Sequence, residues 1–219
     1  MNVITLASCK AGTGKTTLAA QLAGHAIAQG RRCLVVDADP RGAFALLNSR
    51  RAEGALPLAS AERGLERPLE VADFLGYDWA LIDTAPAISL LVQEAIRVAT
   101  MLIIPARPGL LDLAGVRETA ELVRSGRRPY AVVLNAAPLK CDDKEAQAVA
   151  DTRAALDRYA IPVWSGQISE RTGYAVATGE AEARALAAAV VARLWSMIER
   201  SVEAVNAAKA GAGGQRQAA

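Results

Sequence analysis

Residues 8–17 read Ser-Cys-Lys-Ala-Gly-Thr-Gly-Lys-Thr-Thr, and this stretch decides the fold. It follows an apolar run from Val3 to Ala7 and leads into a segment rich in Ala and Leu that starts at Leu18. A buried strand, a glycine-rich turn and the start of a helix form the layout of a phosphate-binding loop. Small residues there let consecutive backbone N–H groups point at phosphate oxygens, and the helix N-terminus adds partial positive charge. The stretch therefore predicts a nucleotide-binding loop.

Three side chains at the end of the loop have predicted roles. Lys15 is placed to reach the β- and γ-phosphates of the nucleotide, and the Thr16 hydroxyl is placed to bind Mg²⁺. Thr17, one residue further into the helix, is placed to bond the α-phosphate. The predicted nucleotide-binding residues of the loop are Lys10, Ala11, Gly12, Thr13, Gly14, Lys15, Thr16 and Thr17.

Lys10 marks a departure from the ordinary motif. The ordinary motif has Gly five residues before Gly14, and this chain has Cys9 there. With Lys10 and Lys15, the loop carries more positive charge than the phosphates of one nucleotide require locally. Lys10 is either a solvated loop lysine or a residue that reaches across a dimer interface to a second nucleotide.

The loop resembles the deviant Walker A motif of the ParA/MinD family of P-loop ATPases, whose usual form is Lys-Gly-Gly-x-Gly-Lys-Thr. Ala11 stands at the first glycine of that form, where a backbone with positive φ would strain it. The resemblance implies ATP and Mg²⁺ as cofactors and an ATP-dependent homodimer packed face to face. It also implies that Lys10 contacts the nucleotide of the partner subunit and acts with Lys15 in hydrolysis.

Composition and charge narrow the class of protein. Hydrophobic residues make up 52% of the chain and aromatic residues 4%, which favours helices packed on an aliphatic sheet. The formal net charge is only +2, so contact with nucleic acid would need a local basic patch. The three cysteines form no C-x-x-C pair, which is typical of reduced cytosolic thiols. We expect a cytoplasmic protein, because the first strand starts at once and no apolar run reaches membrane-spanning length.

Apolar runs alternate with helical patterns along the chain, which indicates the α/β class. The pattern predicts a mostly parallel twisted sheet with helices on both faces, a Rossmann-like P-loop NTPase fold. Residues 46–67 are predicted as one helix followed by loops. We expect a single domain over residues 1–205 and a disordered tail over 206–219, which is rich in Ala, Gly and Gln. The six predicted strands are residues 3–7, 33–37, 78–83, 101–105, 130–135 and 161–164.

Three aspartates follow apolar strands, at the sheet edge where open α/β folds bind ligands. Asp37 and Asp39 end the second strand, and Asp83 ends the third. They can be read as turn-forming or helix-capping residues, but two such strand ends beside a phosphate-binding loop favour catalysis. The family resemblance implies that Asp37 positions the attacking water, and that Asp39 and Asp83 hold Mg²⁺ with Thr16, partly through water.

Three further positions are judged by the same resemblance. Arg41 stands where the family usually has Gln, in its Asp-x-Asp-Pro-Gln-Gly segment. Residues 103–113 are similar to a family run at the dimer face. Asn135 resembles the strand-end Asn that recognises adenine, although a plain turn residue fits the position nearly as well. The resemblance spans Val3 to about Val202, almost the whole chain.

The sequence ranks the tasks that such an ATPase performs. The tail lacks the basic and bulky apolar residues of an amphipathic membrane anchor, so we expect no membrane contact. Relatives that act on DNA bind duplex non-specifically through scattered basic residues. Arg171 lies where such an arginine falls in relatives, and Arg193 and Arg200 share one face of the last helix.

The expected function is therefore that of a ParA-type ATPase associated with the nucleoid. ATP would drive a dimer onto DNA, and an adaptor resembling ParB would stimulate hydrolysis and release it. The cargo would be a plasmid, a chromosome region, or a protein assembly such as a carboxysome or chemoreceptor cluster. The alternative is an enzyme that phosphorylates or ligates a small metabolite, as dethiobiotin synthetase does, although residues 85–91 are too apolar for a polar substrate pocket.

Overall fold

A computed structural model defines residues 1–51, 54–140, 144–170 and 181–216 of the chain. Within these ranges, strands and helices alternate as the apolar pattern predicts. The strands are β1 (Asn2–Leu6), β2 (Cys33–Ala38), β3 (Leu58–Ser60), β4 (Trp79–Thr84), β5 (Met101–Ala106), β6 (Tyr130–Ala137) and β7 (Val163–Ser169). The helices are α1 (Lys15–Ala28), α2 (Ala43–Ser49), α3 (Glu66–Phe74), α4 (Leu90–Val98), α5 (Leu110–Ser125), α6 (Gln147–Asp157) and α7 (Ala181–Arg216).

All seven strands form one parallel sheet in the order β3-β2-β4-β1-β5-β6-β7. Every residue of β2, β4 and β5 is buried, because helices cover both faces of the sheet. Leu6 and Ile103 face the side covered by α1 and α7, while Leu102 and Ile104 face α4, α5 and α6. The predicted fold class, a parallel sheet between two helical layers, is confirmed.

The segment of residues 46–67 was wrongly predicted as one helix followed by loops. It contains the end of α2, the edge strand β3 and the start of α3. β3 is only three residues long and largely exposed, and α3 leaves Phe74 90% exposed. Short, half-solvated elements bury little apolar surface, so they leave a weak periodic signal in the sequence.

The C-terminal segment also differs from expectation. α7 continues to Arg216, where a disordered tail was expected from residue 206 onward. Ala has the highest helix propensity of all residues, and the segment contains no Pro to end the helix. The side chain of Asn206 also donates a hydrogen bond to Asn2 at 3.1 Å. Residues 217–219 lie outside the described ranges. No helix within those ranges is both long and apolar enough to cross a bilayer.

Candidate nucleotide-binding site

Parallel pairing brings the carboxyl ends of the strands to one edge of the sheet, directly beside the loop of residues 8–17. Leu6 pairs with Asp83 between β1 and β4, and Asp37 pairs with Asp83 between β2 and β4. The register therefore places both strand-end aspartates level with the start of the loop. This is the edge where open α/β sheets bind ligands.

The loop has the backbone shape that its glycines predict. Gly12 and Gly14 have φ values of 75° and 91°, a region that favours glycine. Ala11 is not among the residues with positive φ, so its substitution for the family glycine causes no backbone strain. A Cβ atom on Gly14 would overlap the side chain of Asn135, whose Nδ2 donates to the carbonyl of Thr13 at 2.8 Å. Asn135 therefore holds the loop from β6.

Lys15 is buried under this loop, with 6% of its surface exposed. Its Nζ donates to the carbonyls of Ser8 at 3.3 Å and Lys10 at 3.4 Å. Burial lowers the pKa of Lys15, and the negative charges of Asp83 and Asp39 oppose that effect. An ammonium held only by long bonds to neutral carbonyls is well placed to exchange them for phosphate oxygens.

Asp83 is fully buried, and neither of its oxygens accepts a hydrogen bond from any residue in the described ranges. Burial raises its pKa from 3.8 to about 7. The Thr16 hydroxyl and the positive charge of Lys15 lower this pKa in part, although Thr16 lies outside normal hydrogen-bond geometry with Asp83. The negative charges of Asp37 and Asp39 raise it further. A buried carboxyl without a partner is neutralised either by a proton, as the raised pKa allows, or by a cation or a metal-bound water.

Asp37 and Asp39 have local hydrogen bonds as well as a place in the site. Asp37 accepts from the backbone N–H of Asp39 at 3.0 Å and of Ala45, in the first turn of α2, at 3.3 Å. Asp39 accepts from the backbone N–H and the Nε of Arg41, at 3.0 and 3.2 Å. The alternative interpretation of Asp37 and Asp39 as turn and cap residues therefore describes real hydrogen bonds. Asp83, in contrast, accepts no hydrogen bond within the described ranges.

The residues present fit Mg²⁺. No group of three or more His, Cys, Asp or Glu side chains in the described ranges could hold a metal by itself. Magnesium, however, usually keeps several waters and binds through one or two carboxylates and the phosphates of its nucleotide. Thr16, Asp39 and the unsatisfied Asp83 supply that set of oxygens, and the ion would neutralise the phosphates during transfer.

Lys10 is not a freely solvated loop lysine. Its Nζ forms an ion pair of 2.7 Å with the Oδ2 of Asp112, in the first turn of α5. The lysine side chain is 37% exposed and that of Asp112 only 11%. The loop also packs on α5. The N–H of Cys9 donates to the Thr119 hydroxyl at 3.0 Å. Gly115 lies so near the loop that a Cβ atom added to it would be 3.2 Å from the Cβ of Lys10.

Asp112 is a residue that sequence reasoning missed as a site residue. It lies in the run of residues 103–113 that resembles a dimer face, but no local pattern shows that it pairs with Lys10. Gln21 and Arg107 were also missed. Together with Thr17 and Asn135 they line a cavity of about 250 Å³ beside the loop, into which a nucleoside base could fit. The Nε2 of Gln21 is buried there without a partner among the described residues.

The arginines predicted to bind DNA are not brought together at this site. Arg171 lies outside the described residues. Arg193 and Arg200 are exposed on α7. Glu199, next to Arg200, pairs with Arg31 at 2.8 Å, and Arg31 follows the end of α1. Arg200 therefore lies toward the end of the sheet opposite the loop.

Asp83→Asn is expected to stabilise the protein at pH 8 in the absence of Mg²⁺ and nucleotide. The folded-state pKa of about 7 lies above the unfolded value of 3.8, so the stability of the native protein falls as pH rises from about 4 to 7. The full difference between the two pKa values corresponds to roughly 4 kcal/mol of lost unfolding free energy, and asparagine removes this loss because it carries no charge. Urea denaturation of both proteins would measure this: the variant should have a higher free energy of unfolding than the native chain at pH 8, and the difference should be smaller at pH 5.

The same variant should lose the added stability that ATP and Mg²⁺ confer on the native protein. If Asp83→Asn unfolds with the pH dependence of the native chain, Asp83 is not the buried charge that this site must neutralise.

The sequence matches one family of nucleotide-binding domains over most of its length. The family model described as the CobQ/CobB/MinD/ParA nucleotide binding domain matches residues 4–185. The chain is 37% identical over 119 residues to maintenance of carboxysome distribution protein A of Gloeobacter kilaueensis, covering 53% of this chain and 54% of that protein. It is 31% identical over 159 residues to the chromosome-partitioning ATPase Soj of Thermus thermophilus, covering 58% and 64%. Both matches span less than two thirds of the relative.

The fold has a solved counterpart. Cobyrinic acid a,c-diamide synthase from Mycobacterium smegmatis, with bound ATP analog and magnesium, superposes with a TM-score of 0.72. The superposition covers 91% of this chain and 95% of that one at 18% identity. At this identity the likeness concerns the fold alone.

Proposed function

The chain belongs to the CobQ/CobB/MinD/ParA nucleotide-binding family, and from that membership we propose that it is a ParA-type ATPase that positions or segregates an intracellular cargo. The observation that carries the ATPase part is Asp83, a buried carboxylate beside Lys15 and Thr16 that has no hydrogen-bond partner among the described residues. Its unsatisfied charge is explained if the site normally contains Mg²⁺ with ATP. Relatives named for partitioning and for carboxysome distribution support the cargo part.

In the proposed reaction, residues 10–17 bind the phosphates of ATP. Lys15 exchanges its bonds to loop carbonyls for the β- and γ-phosphate oxygens. Asp37 holds the attacking water in line with the γ-phosphate, as its raised pKa, caused mainly by burial, allows for a proton acceptor. Asn135 and the cavity beside α1 accept the adenine ring.

The proposed ATP state is a homodimer. Lys10 leaves Asp112 and contacts the phosphates of the partner's nucleotide, a gain because phosphate carries more negative charge than one carboxylate. Exposed apolar side chains lie on α2 and α4, the helices that follow β2 and β4 at the loop edge: Leu46 is 57% exposed and Leu90 83%. Ile88, just before α4, is 50% exposed. Such side chains at the rim of a site favour a protein partner over a polar metabolite.

The dimer is proposed to bind DNA without sequence preference in the cytoplasm, on the nucleoid. Arg171, Arg193 and Arg200 remain the candidate DNA contacts that the sequence identifies. An adaptor protein attached to the cargo would stimulate hydrolysis and release the dimer. The cargo itself is selected by that adaptor.

The test is binding of the purified chain to fluorescent random-sequence duplex at one stated salt concentration, with ATP, with ADP or without nucleotide. We expect binding with ATP only, indifferent to sequence and weakened as salt rises. Six phosphate contacts would lower the affinity by roughly a thousandfold between 50 and 200 mM salt.

One outcome of this binding experiment would contradict the DNA-binding part of the proposal. If the chain binds ATP but binds no duplex in any nucleotide state, the DNA part of the proposal is wrong. ATP turnover that depends on an added metabolite would then support the alternative, a small-molecule phosphorylating or ligating enzyme.

A further inference from the structure

Six arginines lie on or just after α4, α5 and α6: five are at the C-terminal ends of these helices, and Arg117 is in the middle of α5. Arg124 lies about 18 Å along α5 from Asp112, at 1.5 Å per residue. Five of the six are exposed and Arg128 is half-buried. We name this cluster the arginine patch, and its members are Arg97, Arg117, Arg124, Arg127, Arg128 and Arg158.

Contacts with neutral groups hold the patch together. The guanidinium of Arg117 lies 4.2 Å above the ring of Tyr159 and donates to its hydroxyl at 3.3 Å. Arg124 donates to the carbonyls of Tyr159 and Ala160 at 2.8 and 3.0 Å. Arg128 donates to the carbonyl of Arg97. These bonds fix two helices and a loop as one surface without neutralising any of the charges.

No ion pair joins a patch arginine to an acidic side chain within the described ranges. Glu118, Glu121 and Asp157 lie on the same helices and are exposed, but none comes within 4.0 Å of a patch guanidinium. Among the other arginines, Arg31 is paired with Glu199 and Arg41 with Asp39. The patch therefore keeps a net positive charge that a small overall charge of +2 would not suggest.

We propose that the arginine patch is a phosphate-binding surface for duplex DNA. Arginine is the side chain suited to phosphate oxygens, because its planar guanidinium donates two parallel hydrogen bonds. Phosphates repeat at regular intervals along a duplex and match several fixed cations better than a single anion does. Tyr159 adds exposed ring surface, but the patch contains none of the bulky apolar side chains that insert into a bilayer.

The proposal deepens the proposed function, on which it rests for the choice of DNA as partner. It moves the main contact from α7, where the sequence places Arg193 and Arg200, to α4, α5 and α6. Arg127 and Arg158 are the informative members, because their side chains make no hydrogen bond or ion pair within the described ranges. Their substitution should leave the fold intact, whereas Arg117 and Arg124 also hold the surface together.

The experiment compares duplex binding of the full chain with a nonhydrolysable ATP analogue across a series of salt concentrations. We expect Arg127→Glu/Arg158→Glu to weaken binding at least tenfold, and the salt slope to fall by about one for each phosphate that the variant no longer neutralises. Arg127→Lys/Arg158→Lys, which keeps the charges, should bind within about threefold of the native chain. Thermal melting and light scattering of the ATP dimer check that each variant folds and dimerises.

The matched control is Arg63→Glu/Arg67→Glu. These two exposed arginines lie before and on α3, near the β3 edge of the sheet, and their reversal changes the net charge equally. If this control weakens binding as much as the patch variant, the effect is one of net charge and the proposal is wrong. The proposal is also overturned if the patch variant binds duplex as the native chain does, whatever α7 contributes.

Failure of the proposed function gives a different result. In that case the native chain itself binds no duplex with the ATP analogue. Vesicles of phosphatidylglycerol and phosphatidylcholine are then the decisive probe: if the native chain binds them and the patch variant does not, the patch binds a membrane surface and the DNA assignment is overturned.

Discussion

Lys10→Ala is expected to abolish the ATP-dependent dimer while the monomer still binds ATP within a few-fold of the native affinity. Lys15 and the loop backbone bind the phosphates from within the chain, whereas Lys10 is turned away from them toward Asp112 at 2.7 Å. Its removal therefore deletes an interaction that only the partner's nucleotide receives. We expect the dimer to weaken at least a hundredfold, about 2.7 kcal/mol. Light scattering with ATP and a fluorescent nucleotide titration measure the two quantities.

The ion pair itself supplies the controls. Alanine leaves Asp112 with an unpaired, largely buried charge, which costs roughly 1–3 kcal/mol of stability. Lys10→Ala/Asp112→Asn removes that charge, so it should regain stability without regaining the dimer. Asp112→Asn alone keeps the lysine and frees it, so the dimer should form as readily as in the native chain or more so. An ATP-dependent dimer of normal affinity in Lys10→Ala would refute the role of Lys10 across the interface.

Asp37→Ala is expected to lower the rate of ATP hydrolysis at least a hundredfold and to leave the ATP dimer on DNA. A positioned general base contributes about 10²- to 10⁴-fold to such a rate. Phosphate release measured with duplex and ATP gives the rate. The fraction of dimer that stays on immobilised duplex after free ATP is removed measures whether the variant remains bound to DNA.

The contacts of Asp37 require a second variant. Asp37 also accepts hydrogen bonds from the N–H groups of Asp39 and Ala45, so alanine removes a cap of α2, worth about 1 kcal/mol. Asp37→Asn keeps a carbonyl oxygen for these bonds but loses the charge. If asparagine restores hydrolysis, Asp37 acts through the shape of the loop before α2; if asparagine is as inactive as alanine, the carboxylate itself is required.

The fold class was predictable from the sequence because each central strand is apolar throughout. Strands β2, β4 and β5 are buried on both faces, and only a parallel sheet between two helical layers produces that pattern. β3 and α3 were not predictable, because Leu58, Val71 and Phe74 are largely exposed and give no regular period. Local pattern therefore identifies elements in proportion to the surface they bury.

The residues of the candidate site also fall into those that the sequence predicted and those that it did not. Loop residues 8–17 were recognised because a phosphate-binding loop is formed by consecutive residues whose order is visible in the sequence. Asp37 and Asp83 were recognised because each follows an apolar strand. Gln21 and Arg107 were missed, since helix and loop positions of that kind carry no motif.

The sequence alone thus determined the loop, six of the seven described strands and the aspartates at their ends, because the order of the loop residues and the apolar runs of buried strands are local properties of the chain. Tertiary structure alone decided that Lys10 pairs with Asp112, that Asp83 has no hydrogen-bond partner in the part of the chain that the structure describes, and that six arginines gather on and just after α4, α5 and α6. Each of these depends on residues far apart in the chain. Packing of the sheet and its helices sets their distances and their exposure to water, and no local pattern carries that information.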